Sequence, residues 1–536
     1  MTIFADPAGR SARPIAMLAI WVAALLLPAC SVLRTDFVKR PSTSMAPVVD
    51  SPLTRQVQAG VAAHAGRSGF RPLLGGTSAL LARIALADGA RHSIDLQYYI
   101  FESDETGRLL AQRLLAAADR GVRVRILLDD LGIDKQDRML DALDAHPNVE
   151  VRLFNPLRVR QRSMLSKAGQ FLFEAQRLNR RMHNKSFIVD GAEAIVGGRN
   201  VGDAYFNAGD DVHFRDLDVL AAGPVVAGIA SMFDRYWNDE AAYPVRAYSG
   251  TDATAASVAR VRDRLARAAR TYTPDEYAHA AAMLLPNDDA PDGGRGAWYW
   301  GDARLVADAP QKADPAKDEK RHAMIERPIR HLLESARQQI LIVSPYLIPG
   351  DEIEALLEAS LRRGVDIQAL TNSLAANDEP EVHAGYARYR RPLLVAGAKL
   401  YEFRPLGGSD AGGKRGRSSG VSLHAKAMVI DHRDVFIGSM NFDPRSRDLN
   451  TEMGVIVDSP GLAGAIERFF ARAIAPENAF HVMLDPDSRR APRYRPLRWS
   501  AVDDGKAVIF DHEPETSWRK RLRVDLMQLL PIEGLL

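Results

Sequence analysis

His183-Asn184-Lys185-Ser186-Phe187-Ile188-Val189-Asp190, closed by Gly197-Gly198-Arg199-Asn200, decides the fold of this chain because it is written twice. The second copy is His424-Ala425-Lys426-Ala427-Met428-Val429-Ile430-Asp431, closed by Gly438-Ser439-Met440-Asn441. In both, Lys follows His by two positions, Asp follows Lys by five, and Asn follows Asp by ten. The apolar, branched residues between Lys and Asp predict a strand. Side chains alternate along a strand, so His and Lys share one face, as a site requires. Asp190-Gly191 predicts a turn, and Ala194-Ile195-Val196 a returning strand that carries Asn200 back to the same end. A single histidine on a half-buried strand is ordinarily a satisfied core residue. Two copies with the same trailing residues single out His183 and His424 from the thirteen histidines of the chain.

Outward from the motifs, the chain says the same thing in each half. His92–Ile100 predicts a strand and Thr106–Arg120 a helix with an apolar stripe; Gly121 ends the helix, and Val122–Leu128 is a buried strand. Gln339–Tyr346, Ile353–Arg363, Gly364 and Val365–Leu370 repeat that order. A further strand precedes each histidine motif, over Asn148–Leu153 and Ala398–Phe403. Alternating strands and helices predict an α/β fold of two duplicated domains, each a mixed sheet flanked by helices. The repeat is much longer than a solenoid unit. Expected divisions are a leader over 1–30, a tether over 31–70, domains over 71–250 and 326–490, an insertion over 251–325, and a tail over 491–536.

These residues resemble the phospholipase D superfamily, and within it the bacterial cardiolipin synthases, particularly the C type. Beyond the motifs the resemblance includes Arg177-Leu178-Asn179-Arg180-Arg181-Met182 and Phe442-Asp443-Pro444-Arg445-Ser446. It extends to Asn372–Asp378 and His383–Arg388, and covers about Leu74 to the C-terminus. It implies that the two domains pack around one shared active site. It also implies a phosphatidyltransferase that makes cardiolipin, with phosphatidylglycerol as acceptor and phosphatidylethanolamine as a donor suited to the C type.

The chemistry of the residues is consistent with that expectation. A neutral imidazole attacks phosphorus, and a second, protonated imidazole gives its proton to the leaving oxygen; the sequence then reverses onto a second alcohol. This needs no metal. Lys185 and Lys426 bring positive charge to the phosphoryl oxygens, and Asn200 and Asn441 bring hydrogen bonds. Each histidine needs a partner that fixes its tautomer. The resemblance points to Asp216 and Glu452, with Asp218 as the alternative to Asp216, while Asp190 and Asp431 close the turns after the strands. No cofactor is implied, since diester exchange is close to energy-neutral and no nucleotide-binding glycine pattern occurs. Whether water or a lipid alcohol reaches the intermediate separates a synthase from a hydrolytic phospholipase D, and spacing does not decide it.

Charge and composition narrow the partners. A net charge of +2 with 26% charged residues does not demand a nucleic acid, so a nucleic-acid phosphodiesterase is the least favoured reading and none is expected as partner. Phospholipids and a membrane are the expected partners; the oligomeric state is open. The single cysteine, Cys30, excludes an intramolecular disulfide. Arg10 and Arg13 precede an apolar run, Ile15–Ala29, that ends at Leu27-Pro28-Ala29-Cys30. This resembles a bacterial lipoprotein signal facing the periplasm, with Cys30 lipidated, although Pro28 departs from the usual small residue; an uncleaved membrane anchor is the alternative. Trp298-Tyr299-Trp300 suits either a lipid entrance or core packing, and Gly407–Gly420 either a lid or a solvated loop. Met164–Arg181 and Trp518–Leu530, the latter capped by Ser517, are amphipathic and suit either a membrane surface or a core-facing helix.

Overall fold

The computed structural model describes residues 39–47, 51–133, 137–157, 174–208, 213–247, 254–268, 297–317, 324–377, 379–405 and 420–528. The expected leader with Cys30, residues 164–173 and the loop 407–419 lie outside them.

The first half runs β1 (Ser68–Leu73), β2 (Ser93–Tyr98), β3 (Arg123–Asp129), β4 (Val149–Phe154), β5 (Ser186–Val189), β6 (Glu193–Gly197), β7 (His213–Arg215), β8 (Asp218–Ala222) and β9 (Ala242–Pro244). Strand β10 (Tyr299–Ala307) follows. The second half runs β11 (Gln339–Val343), β12 (Asp366–Asn372), β13 (Lys399–Phe403), β14 (Val421–Leu423), β15 (Ala427–Ile430), β16 (Asp434–Gly438), β17 (Met453–Asp458), β18 (Ala479–Leu484), β19 (Leu497–Asp503) and β20 (Lys506–Phe510). Each half builds the same mixed sheet. Parallel β2-β3-β4 meets antiparallel β5-β6-β8, and parallel β11-β12-β13 meets antiparallel β15-β16-β17. The expected crossover helices are present at Glu105–Asp119, capped by Asp104, and at Gly350–Arg362. Gly121 and Gly364 follow them at φ +96° and +88°, the left-handed geometry in which glycine carries no Cβ penalty.

The two sheets are one. Strand β1 pairs β8 on one side and β10 on the other, and β10 continues into β17. One apolar core draws on both halves: Ile188, Val196, Ile229, Phe233 and Trp237 from the first, and Val343, Ile437, Val455, Ile466 and Phe470 from the second. The helices Val225–Trp237 and Pro460–Ala473 supply the shared layer.

Two expectations change, and one open alternative resolves. The second half of the expected tether is structured, with a helix over Pro52–Ala63 capped by Ser51 and then β1. Its earlier part also packs on the body, where Ser44 Oγ meets Asp234 at 3.0 Å. Arg125 Nε bonds Asp95 at 2.6 Å, and its Nη2 reaches Ser44 at 2.9 Å. The segment expected as an insertion contributes the helix Ala255–Ala268, with Leu265 buried in the first-half core, and the bridging strand β10. The aromatic triplet is packing rather than an entrance: Trp300 stacks on His64 at 4.6 Å, and Trp298 lies under Arg71 at 5.0 Å. The tail extends the second sheet by β19 and β20 and contributes a helix over Trp518–Met527.

Candidate active site

The strands of both motifs start later than the alternation implies. Strands β5 and β15 begin after Lys185 and Lys426, so each histidine lies beyond its own half's strand. Its partner is the opposite half. Met182 bridges Thr451 in parallel; Thr451 N–H donates to Arg181 at 2.9 Å, and His183 N–H donates to Thr451 at 3.0 Å. The matching exchange is the two-stranded parallel sheet of β7 and β14, where Leu423 faces Arg215. There the N–H groups of His424 and Ala425 both donate to the Arg215 carbonyl, at 2.8 and 3.1 Å.

Arg215 precedes Asp216, and Thr451 precedes Glu452, so the straps deliver each histidine to a carboxylate of the other half. His183 Nδ1 lies 2.9 and 3.0 Å from the two Glu452 oxygens. His424 Nδ1 lies 2.6 Å from Asp216 Oδ2. A carboxylate on Nδ1 holds the ring in the tautomer that leaves Nε2 for chemistry. Asp218, the alternative orienter, instead pairs with Arg83 at 2.9 Å and Arg199 at 3.4 Å in a buried network.

The lysines fold back beside the rings. Lys185 Nζ donates to the His183 carbonyl at 2.7 Å; Lys426 Nζ donates to the His424 carbonyl and lies 2.9 Å from His424 Nδ1. The two asparagines differ. Asn200 accepts from Ile100 N–H at 3.2 Å and donates to Tyr205 Oη at 3.0 Å, whereas Asn441 Oδ1 is buried and meets no hydrogen-bond partner among the described residues. Asp190 and Asp431 stand at the far ends of β5 and β15. Asp190 accepts from the N–H groups of Arg91, His92 and Ser93, and Asp431 from those of Arg337, Gln338 and Gln339. Both sit at positive φ, 52° and 51°, which an aspartate tolerates in a turn. They tie the motif hairpins to the entries of β2 and β11 and do not reach the histidines.

Burial, then Lys185 and Lys426, push His183 well below the ordinary histidine range. Burial and Lys426 lower His424 to about 4 against the pull of Asp216. Burial also lowers Lys185 to about 7. The carboxylates move in opposite directions. Burial raises Glu452 to about 7, with Lys185, Ser439 and Ser446 opposing. Burial opposes ionisation of Asp216 too, but His424, Lys426 and Arg199 outweigh it and hold Asp216 below its ordinary value.

Several neighbours escaped the sequence reading because the repeat does not mark them. Tyr99 meets the His183 ring edge-on at 5.3 Å; Tyr205 and Phe214 meet His424 at 5.3 and 5.2 Å. Tyr205 follows Asn200 by five positions, but the matching residue after Asn441 is Ser446, so comparing the halves hides it. Gly198 and Ser439 also differ at one motif position: a Cβ on Gly198 would lie 2.2 Å from Asp216 Oδ1, whereas Ser439 Oγ donates to Glu452. Asp308, at the end of β10, accepts from Glu452 N–H at 3.1 Å and from Lys312 at 2.7 Å.

Two histidine–lysine motifs joined by crossed carboxylates call for comparison with known proteins. The family described as cardiolipin synthase, PLD-like domain, matches residues 83–237 and 329–474. These segments hold His183 with Asp216 and His424 with Glu452. Cardiolipin synthase C of Escherichia coli (strain K12) is 42% identical over 482 residues, covering 88% of this chain and 97% of that protein. The chain belongs to the cardiolipin synthase family. Cardiolipin synthase of Geobacillus kaustophilus is 27% identical over 387 residues, covering 72% of this chain and 62% of that protein. A crystal structure of phosphatidylserine synthase from Haemophilus influenzae aligns with TM-score 0.54 over 90% of this chain and 100% of that one; at 13% identity it shows the shared fold. Membership in the cardiolipin synthase family makes this protein a phospholipase D-type phosphatidyltransferase acting in phospholipid synthesis. Among the described residues, no helix is long and apolar enough to cross a membrane.

Proposed function

We propose that this enzyme makes cardiolipin by transferring a phosphatidyl group from a donor phospholipid to phosphatidylglycerol through a phosphohistidine. The observation that carries the reading is the crossed pairing of each histidine with the other half's carboxylate. His183 Nε2 attacks the donor phosphorus, the bond from phosphorus to the headgroup oxygen breaks, and His424 gives that oxygen its proton. The hydroxyl of phosphatidylglycerol then attacks, passes its proton to His424, and displaces His183 as the phosphorus–nitrogen bond breaks.

Assigning His183 as nucleophile follows the superfamily resemblance. Burial keeps His183 neutral, as a nucleophile requires; it also lowers His424, so His424 serves as the acid where the substrate's phosphodiester anion and ionised Asp216 together draw a proton onto it. Lys185 and Lys426 carry the positive charge that offsets the pentacoordinate phosphoryl oxygens. Phosphatidylethanolamine as donor releases ethanolamine; a second phosphatidylglycerol releases glycerol. Two acyl chains held on the intermediate exclude water and favour the lipid alcohol. The reading includes attachment through a lipidated Cys30. Cys30→Ser then leaves an unlipidated precursor, and mass spectrometry of a wild type that is unlipidated and retains Met1–Cys30 would favour an uncleaved anchor.

Incubating the purified enzyme with vesicles of labelled phosphatidylglycerol, with and without phosphatidylethanolamine, tests the proposal. Cardiolipin is expected to exceed phosphatidic acid, and phosphatidylethanolamine to raise the yield with release of ethanolamine. Phosphatidic acid as the dominant product would make the enzyme a hydrolase.

A further inference from the structure

The helix Trp518–Met527 is built outside-in. Its one fully buried side chain is Val524, which packs against Leu374 and Ala384. Trp518, Leu522 and Leu526, spaced four apart, are 63%, 48% and 56% exposed. On a 3.6-residue helix the centre of that stripe lies opposite Val524, so the apolar face points straight away from the protein. The helix is nonetheless firmly held. Lys520 Nζ donates to the Asn377 carbonyl at 3.4 Å, and Arg523 pairs with Glu381. Just ahead of it, Glu513 binds Arg390 at 2.7 Å and His383 at 3.2 Å, and Glu515 binds Arg404 at 2.6 Å.

Charge says what covers the face. Arg519, Lys520, Arg521 and Arg523 stand against the single acid Asp525 within ten residues, and Arg519 lies 5.5 Å from the Trp518 ring. A tryptophan and leucines beside arginines match the boundary of an anionic bilayer, where indole and leucine enter the acyl edge and guanidinium meets phosphate. Position agrees. The helix borders the loop leaving β12 at Asn372, whose side chain clamps both backbone groups of Leu423, next to His424, at 2.8 and 2.9 Å. The stripe therefore lies at the site end of the second sheet.

We infer that the exposed Trp518–Leu522–Leu526 face, with its basic flank, docks the enzyme on the surface of an anionic phospholipid bilayer and sets the site at the interface where its substrates lie. The surface rests on the reading of the site as one that acts on phospholipids.

Hydrogen exchange of the full-length enzyme tests it locally, and so independently of any N-terminal attachment. Vesicles of equal parts phosphatidylcholine and phosphatidylglycerol are expected to slow exchange over residues 517–528, vesicles of phosphatidylcholine alone to do so less, and salt to reverse the effect. Arg519→Gln is expected to weaken the partitioning that this protection reports about fivefold. The triple variant Trp518→Ser, Leu522→Ser, Leu526→Ser is expected to raise KM on vesicles while turning over detergent-dispersed phosphatidylglycerol at the wild-type rate. Unchanged exchange with anionic vesicles would overturn the proposal, as would protection that grows with protein concentration without lipid, which indicates a second copy. An equal loss on both substrate forms would also overturn it, by assigning the stripe to stability. Protection without any phosphatidyl transfer would sink the reading of the site and leave the surface standing.

Discussion

His183 and His424 each take their orienting carboxylate from the other half, from Glu452 and Asp216. Either Asp216→Asn or Glu452→Gln should therefore lower kcat by roughly 10²-fold or more with the fold intact, since an amide on Nδ1 no longer stabilises the charged ring. Circular dichroism and turnover together check this. The pH profile should be a narrow bell near neutrality. Glu452, raised to about 7, must be ionised to hold the His183 tautomer, so activity falls as pH drops through that value. Lys185, lowered to about 7, must be charged, so activity falls again above it. Lys185→Arg should remove the alkaline limb, because arginine keeps its charge; an unchanged limb would assign it to another group. Asp431→Ala should behave differently. Losing an acceptor for three N–H groups should cost about 1–3 kcal/mol in thermal unfolding and leave kcat per folded molecule near wild type. The doubled spacing made the histidines, lysines and asparagines legible. The assignment of carboxylate to histidine was not, because the pairs join residues 269 and 208 positions apart, and only the tertiary fold decides such pairing.

The strands and helices of the repeat read well where apolar alternation and a stop glycine agree, as over Glu105–Gly121 and Gly350–Gly364. They read poorly where a segment's partner lies elsewhere. His183-Asn184-Lys185 has the alternation of a strand but exchanges its hydrogen bonds with Thr451 in place of a neighbour in β2. Residues 51–70 hold a proline at their start and a short apolar pattern, and β1 within them gains its structure from β8 and β10 rather than from propensity. The turn leaving β6 is a tight local fit. Gly198→Ala would place a methyl 2.2 Å from Asp216 Oδ1 and displace the carboxylate from His424. A fall of about tenfold or more in kcat is expected, on the scale that misplacing a catalytic group produces; wild-type turnover would show that Asp216 adjusts without cost.

Joining the halves through β1 and β10, over one shared core, makes the site a property of the whole chain. The sequence showed two domains but not the seam, because β1 and β10, which hold matching places beside β8 and β17, fall in stretches that read as tether and insertion. Since both crossed pairs form within one chain, mixing purified His183→Ala and His424→Ala enzymes should restore no activity. Recovery on mixing would mean that the halves exchange between molecules. The most direct measurement is to capture the intermediate. The wild-type enzyme is quenched during turnover of phosphate-labelled phosphatidylglycerol, under alkaline conditions that preserve phosphohistidine, and its peptides are mapped by mass spectrometry. Label on the peptide containing His183 is the predicted result. Label on His424 would reverse the roles of the two histidines, and turnover with no histidine-bound phosphate would contradict the covalent mechanism altogether.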